Sequence, residues 1–291
     1  MSEQHERPID RVVAALRSDP VDLAGDLEEV RTRFAQLGSH GVAPGEVDKY
    51  LADIGGVAVL DIPGSAEGVI VFVHAGGYIA GSATSSFALS RRLTQITGRR
   101  VVSVDYRLAP EHPFPAARDD VIDVYRSLLE EAPSVAFVGA SAGGGIALHA
   151  LMELRDRGEP LPRAVVFLSP FTDLTQRGAS YEWNASIDPS LSMEGLAAGV
   201  DAYGAPHPNQ LRPTPTNLHG FPPTHVVAGS REILLSDALD LATAAAGAHV
   251  HTSLEVWPEM VHVFPTFAGV LDEGIVALQR IGAFLDDWMP G

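Results

Sequence analysis

No cysteine occurs in the 291 residues, which removes disulfides, thiolate metal sites, iron–sulfur ligation and cysteine nucleophiles together, while fitting either redox compartment. Any covalent nucleophile must be another residue. Lysine is nearly missing too: Lys49 stands beside 19 arginines, and no basic run interrupts a chain of net charge −17. Such a surface repels phosphate backbones and anionic lipid, so the expected partner is a small molecule that is not polyanionic, with no nucleic acid and no membrane. Long apolar runs are also missing. No window reaches the roughly 18 to 20 unbroken apolar residues of a membrane helix, and the first residues interleave Arg, Asp and Glu with apolar positions where a secretory leader needs a continuous apolar stretch. The expected location is cytoplasmic. Composition leaves both a monomer and a homodimer open.

What is present is 46% hydrophobic and 20% charged, enough for one large core, and the length favours one α/β domain over several small ones. Val12, Val13, Leu16, Leu23, Leu27, Val30 and Phe34 recur at helical spacing within residues 8–37, which predicts one or two amphipathic helices. Short runs rich in Val and Ile follow at Val47–Ile54, Val57–Ile62, Val69–Val73, Val101–Tyr106, Val135–Val138, Ala164–Leu168, Thr224–Ala228 and Ser253–Trp257. From the third onward they are nearly all apolar. Helical stretches separate them at Phe87–Thr97, Asp119–Glu131, Gly145–Arg157 and Asp237–Ala246, and another follows at Asp272–Trp288; buried parallel strands with crossover helices have this pattern. Residues 172–223 break the alternation with Pro206, Pro208, Pro213 and Pro215. An insertion over the carboxyl edge of the sheet accounts for that stretch, since long excursions in compact domains are usually lids or binding loops. Residues 1–45 and about 172–215 are therefore read as a helical cap on a catalytic domain spanning 46–291.

Gly139-Ala140-Ser141-Ala142-Gly143 follows one of these strands and precedes a helical run, the context of a nucleophile elbow. Glycines two before and two after the serine let strand and helix backbones approach closely around a strained turn. The competing reading of Ser141 is a helix N-cap. His74-Ala75-Gly76-Gly77 follows the Val69–Val73 strand and supplies a second part of acyl-transfer chemistry. Consecutive glycines can turn backbone N–H groups toward a developing oxyanion, so Gly76 and Gly77 are candidate donors, joined by Ala142 at the start of the elbow helix. His74 is expected to orient this loop through a side-chain hydrogen bond.

A serine nucleophile needs a base, and the base needs a carboxylate to hold its tautomer. In α/β-hydrolases the acid follows the strand after the elbow unit and the histidine follows the last strand. His262 lies five residues past Trp257 and is the histidine so placed. His149 falls on the elbow helix as packing, and His249-x-His251 is a weak metal lead as an alternating strand pair. For the acid, Glu232 lies on the loop after Thr224–Ala228 and Asp237 at the start of the next helix. Asp237 is also explained as a helix-start residue stabilised by the dipole, and Glu232 is preferred.

On these motifs the chain resembles the hormone-sensitive-lipase family of α/β-hydrolases, in its bacterial esterase branch, across about residues 47–288. His74-Ala75-Gly76-Gly77 matches the family's H-G-G-G, Gly139–Gly143 its elbow, and Met260-Val261-His262 its M-x-H, in that order. The run Asp105-Tyr106-Arg107-Leu108-Ala109-Pro110-Glu111-His112-Pro113-Phe114-Pro115-Ala116 is similar to a family segment that braces the loop beneath the site. Ala75 replaces the first glycine, Glu232 stands where most members have Asp, and Ser236 where they have a second Asp. Trp183-Asn184-Ala185 and Asp188-Pro189 are similar to the branch containing monoterpene ε-lactone hydrolases.

The resemblance implies an α/β-hydrolase fold: a central, mostly parallel eight-stranded sheet with helices on both faces and a helical cap. It implies ester hydrolysis by Ser141, His262 and Glu232 with an oxyanion hole of Gly76, Gly77 and Ala142, and neither metal nor cofactor. Lactone hydrolysis and amide deacetylation would use the same residues, whereas a small-molecule receptor on this fold would typically lack the histidine. Tyr78, Phe34 and Trp183, with Phe87, Tyr181 and Tyr203, are aromatic candidates for the substrate pocket.

Overall fold

The computed structural model describes residues 6–39, 45–132 and 134–289. In chain order the helices are α1 (Pro8–Ser18), α2 (Leu27–Ser39), α3 (Phe87–Thr97), α4 (Ala116–Glu131), α5 (Ala142–Asp156), α6 (Ser180–Trp183), α7 (Met193–Tyr203), α8 (Pro208–Leu211), α9 (Leu235–Gly247) and α10 (Asp272–Trp288). The strands are β1 (Leu51–Ile54), β2 (Val57–Ile62), β3 (Ala66–Val73), β4 (Arg99–Val104), β5 (Val135–Ala140), β6 (Ala164–Leu168), β7 (Thr224–Gly229) and β8 (Thr252–Trp257). Among the described residues they form one eight-stranded sheet in the order β1-β2-β4-β3-β5-β6-β7-β8. β1 and β2 pair antiparallel, as do β2 and β4, and every later pairing is parallel. The expected mostly parallel sheet of an α/β-hydrolase is what forms.

Because β3, β5, β6 and β7 are covered on both faces, their side chains are apolar almost without alternation. One face packs Val71, Val73, Phe137, Val165 and Phe167 against α4, α5 and α9 through residues such as Tyr125, Leu128, Ile146, Leu151 and Leu241. On the other, Ile70, Phe72, Val138 and Val166 meet Leu89, Leu93, Leu278 and Ile281 of α3 and α10. Helix α1 adds Ile9, Val12 and Val13 to this second cluster, so it flanks the sheet. The turn before α2 and α2 itself place Leu23 and Val30 against Ile79, Ala80 and Ala109. Arg31 of α2 donates to the carbonyls of Ile79 and Ala109 at 2.9 and 3.1 Å and pairs with Glu111.

Several element bounds differ from the sequence pattern for tertiary reasons. Val47–Tyr50, expected as the start of a strand, is a 3₁₀ turn, and only Leu51–Ile54 is extended. Val47 and Tyr50 both pack on Leu60, Ile62 and Phe87; residues three apart share a side in a 3₁₀ turn and oppose each other in a strand. Tyr106 leaves β4 because its hydroxyl donates to the His74 carbonyl at 2.9 Å. Helix α5 begins at Ala142 rather than Gly145, and its glycines serve contact: a Cβ on Gly143 would lie 2.1 Å from the Val73 oxygen. Close approach of α5 to β3 overrides the poor helix propensity of glycine here.

Candidate active site

Strand β5 delivers Ser141 to a turn that no relaxed serine adopts, at φ 53° and ψ −122°. Its hydroxyl makes no capping bond to α5, so the N-cap reading fails. Hydrogen bonds over-determine the turn. The Ser141 N–H donates to Leu168 O at 2.9 Å, and its carbonyl accepts from Gly144 at 2.8 Å and Phe171 at 2.9 Å. The loop after β8 brings in His262, whose Nε2 lies 2.9 Å from Ser141 Oγ and whose Nδ1 lies 2.9 Å from Glu232 Oε2. The structure thus joins Ser141, His262 and Glu232 in one hydrogen-bonded line. A Cβ on Gly229 would sit 2.3 Å from Met260 O, so glycine at the end of β7 is what allows the acid and histidine loops to close on each other.

Glu232 is fully buried, and burial pushes its carboxyl up against the pull of the His262 bond. Its other oxygen, Oε1, accepts from the Gly229 N–H and from Ser169 Oγ at 2.7 Å. Ser169, at φ 48°, also accepts from Val263 N at 2.9 Å. It therefore ties the acid to the residue after the histidine. Sequence reading missed Ser169; its position directly after β6, before Pro170, was the available signal.

Asp237 lies outside the line. Its Oδ2 accepts from Thr172 N at 2.8 Å and Asp173 N at 2.7 Å, and Tyr181 donates its hydroxyl to Oδ1 at 2.9 Å. It stands in the first turn of α9, as the helix-start reading has it, and is also a buried anchor for the segment after β6. Burial pushes its carboxyl from 3.8 up to about 7 despite these donors. Between those values the folded protein keeps a proton that the unfolded chain has released, so this group makes stability fall as pH rises through the window. Asp237→Asn is expected to flatten that part of a melting-temperature profile. The amide oxygen can retain the two backbone donors, its NH₂ can face the Tyr181 oxygen, and esterase kcat should stay within about tenfold, well short of what losing the triad acid costs. A steeper profile in the variant would contradict this.

The glycine loop is set by peptide geometry. In a trans peptide the N–H points opposite its own C=O. The Ala75 carbonyl accepts from His74 Nδ1 at 2.8 Å, the Gly76 carbonyl from Ile79 N at 3.1 Å and Ala80 N at 2.9 Å, and the Ser141 carbonyl from the amides given above. The N–H groups of Gly76, Gly77 and Ala142 consequently point away from those contacts. Gly76 at φ 144° and Gly77 at φ 59° hold conformations that favour glycine. His74 is buried, stacks on Tyr106 at 4.0 Å, and burial pushes its ring down to about 4. The neutral ring donates its Nδ1 proton to Ala75, the orienting bond expected of it.

The aromatic candidates scatter. Tyr78 is 1% exposed, donates to Phe171 O at 2.7 Å and stacks on Tyr203 at 4.2 Å, so its ring belongs to the core beneath the loop. Phe34 packs, half-buried, with the cluster around Val30 and Ile79. Trp183 is 69% exposed. Phe87 packs on Leu60 and Ile62. His149 packs against Tyr203 and Phe114. His249 and His251 both precede β8 rather than alternating along it; His249 sits at φ 62° in the turn, and His251 lies against Trp288 at 5.0 Å. Among the described residues no group of three His, Asp or Glu side chains could hold a metal ion.

A parallel sheet with Ser141 on the turn after β5 and His262 after β8 defines an α/β-hydrolase. The model of that family, described as the alpha/beta hydrolase fold, matches residues 70–266, and the chain belongs to it. An acetyl-hydrolase of Streptomyces hygroscopicus is 38% identical over 273 residues, covering 90% of each chain. An esterase of Acinetobacter venetianus is 34% identical over 227 residues, 76% of this chain and 75% of that protein. Among solved structures, an esterase from the bacterial hormone-sensitive lipase family superposes with TM-score 0.88 at 36% identity, covering 99% of this chain and all of that one. A hormone-sensitive lipase from a metagenome library gives TM-score 0.88 at 31% identity, covering 98% of this chain. No helix among the described residues is long and apolar enough to cross a membrane.

Proposed function

We propose that the protein is a serine carboxylesterase acting on small acyl esters. The observation that carries this reading is the line from Ser141 Oγ through His262 to Glu232, each link 2.9 Å, built on a strained turn. His262 Nε2 takes the Ser141 proton as Oγ attacks the ester carbonyl, and Glu232 stabilises the imidazolium without taking its proton. The N–H groups of Gly76, Gly77 and Ala142 receive the oxyanion, where fixed donors need no reorganisation as charge develops. The imidazolium then gives its proton to the departing alkoxide, leaving an acyl group on Ser141. Water, deprotonated by the same Nε2, attacks the acyl-enzyme, and Ser141 leaves with the proton returned from the ring. Every step uses residues of this chain, so the reading includes no metal and no cofactor.

The turn before α2, α2 and residues 172–215 form the cap in this reading. Leu23 reaches the oxyanion loop: a Cβ on Gly77 would lie 2.9 Å from its Cδ1. A cap this close to the oxyanion loop favours short acyl chains. With p-nitrophenyl esters, kcat/KM is expected to be highest for acetate to butyrate and to fall toward palmitate; a steady rise with length would sink the small-acyl assignment. Lactones and anilides belong in the same assay. Lactone hydrolysis breaks the same bond within a ring, and the Trp183-Asn184-Ala185 and Asp188-Pro189 segments are what favour testing it.

A further inference from the structure

Segment 180–191 follows β6 within the cap insertion, yet its polar side chains turn toward the acid loop. Ser180 and Ser236 clasp each other reciprocally, the Ser180 N–H donating to Ser236 Oγ at 2.9 Å and the Ser236 N–H to Ser180 Oγ at 2.7 Å. Ser180 Oγ also donates to Ile233 O at 2.6 Å. Further along, Asn184 Nδ2 donates to Glu232 O at 2.7 Å and Ser230 O at 3.1 Å, while Asp188 Oδ2 accepts from Ile233 N at 2.8 Å. The peptide joining Glu232 to Ile233 is therefore held at both poles, its carbonyl by Asn184 and its N–H by Asp188. The other oxygen of Asp188 accepts from Ser190 N at 2.8 Å and Leu191 N at 3.1 Å, which fixes the carboxylate to its own turn. Asp188 and Asn184 are both buried.

We propose that Asn184 and Asp188 are positioning residues that lock the Glu232 backbone. The inference rests on the triad reading above. Glu232 holds His262 by a hydrogen bond at 2.9 Å. Of the other groups on the surrounding turns, Ser141 is hydrogen-bonded to His262, and His74 is neutral and turned to Ala75. Arg231 pairs with Glu259 at 3.3 Å, and Glu259 with Arg7 of the segment entering α1. Asp188 itself faces three backbone amides, and burial pushes its carboxyl up against their pull. A glutamate reaches its histidine through one more rotatable bond than an aspartate, so fixing the peptide of Glu232 from both sides keeps backbone play from adding to the freedom of the longer side chain.

The test compares wild type, Asp188→Asn and Asn184→Ala on p-nitrophenyl acetate across pH, with thermal melts and phosphonate labelling of the serine for each. Both variants should lose about 10- to 100-fold in kcat with KM little changed, the cost of a misplaced catalytic group. A loss confined to kcat separates misplacement of Glu232 from weakened substrate binding, which would raise KM. A folded Asp188→Asn protein with wild-type kcat overturns the proposal. If Asp188→Asn does not fold, Asn184→Ala decides the grip, and wild-type kcat in that variant overturns it. Failure of the wild type to hydrolyse esters or to be labelled is a failure of the triad reading, whereas an active, labelled wild type beside unaltered variants is a failure of this inference alone.

Discussion

Ser141→Ala lowers kcat for p-nitrophenyl acetate by roughly 10⁶-fold and leaves the melting temperature close to that of the wild type, on the proposed mechanism. The size follows from the triad acting as one unit, where loss of the nucleophile costs about as much as loss of every member and only binding and the oxyanion donors remain. The unchanged fold follows from the local structure. Ser141 Oγ makes no cap bond to α5, and its partner is His262 Nε2; the backbone bonds to Leu168, Gly144 and Phe171 do not involve the side chain. Alanine meets the same φ of 53° as serine, so the strain of the turn is not altered. Purified variant retaining near-wild-type turnover would end the serine-esterase reading and return attention to a ligand-binding role for the same fold.

Glu232→Gln is expected to lower kcat by a factor on the order of 10⁴, for a reason peculiar to this site. Oε1 accepts from two donors, the Gly229 N–H and the Ser169 hydroxyl. They hold the amide oxygen of a glutamine on their side and leave its NH₂ facing His262 Nδ1. A donor in that position requires Nδ1 to accept, which places the ring proton on Nε2, the nitrogen that must take the proton of Ser141. The wrong tautomer is therefore enforced by the acid's own surroundings. Burial accommodates the neutral amide, because Glu232 lies in surroundings that already push its carboxyl up. A loss of less than about tenfold, beside a larger loss in Asp237→Asn, would move the acid assignment to Asp237.

The sequence by itself determined the sheet and the two ends of the site. Strands buried on both faces must be apolar throughout, so β3, β5, β6 and β7 were legible without a partner in view. Ser141 and His262 were legible because each follows a strand of a parallel sheet, and such strands deliver their carboxyl ends to one edge. The glycines of 74–77 and 139–143 were legible as well, since a turn needing left-handed backbone or a close approach leaves little choice of residue.

Only the tertiary structure separates Glu232 from Asp237 in their surroundings. Both lie on one short stretch after β7, and what separates them is which donors face each carboxylate: His262, Ser169 and Gly229 for the first, Thr172, Asp173 and Tyr181 for the second. These partners lie as many as 65 positions away, and local pattern carries no record of such pairings. For the same reason Tyr78 read as a pocket wall although it is core, and Trp183 read as a pocket wall although it faces solvent. An aromatic residue looks alike in sequence whether it covers a substrate or another ring. Ser169 and Asn184 hydrogen-bond to Glu232, and Asp188 to the Ile233 N–H, all atoms remote in the chain, and only the folding of β6, β7 and segment 180–191 onto one edge brings those atoms within reach.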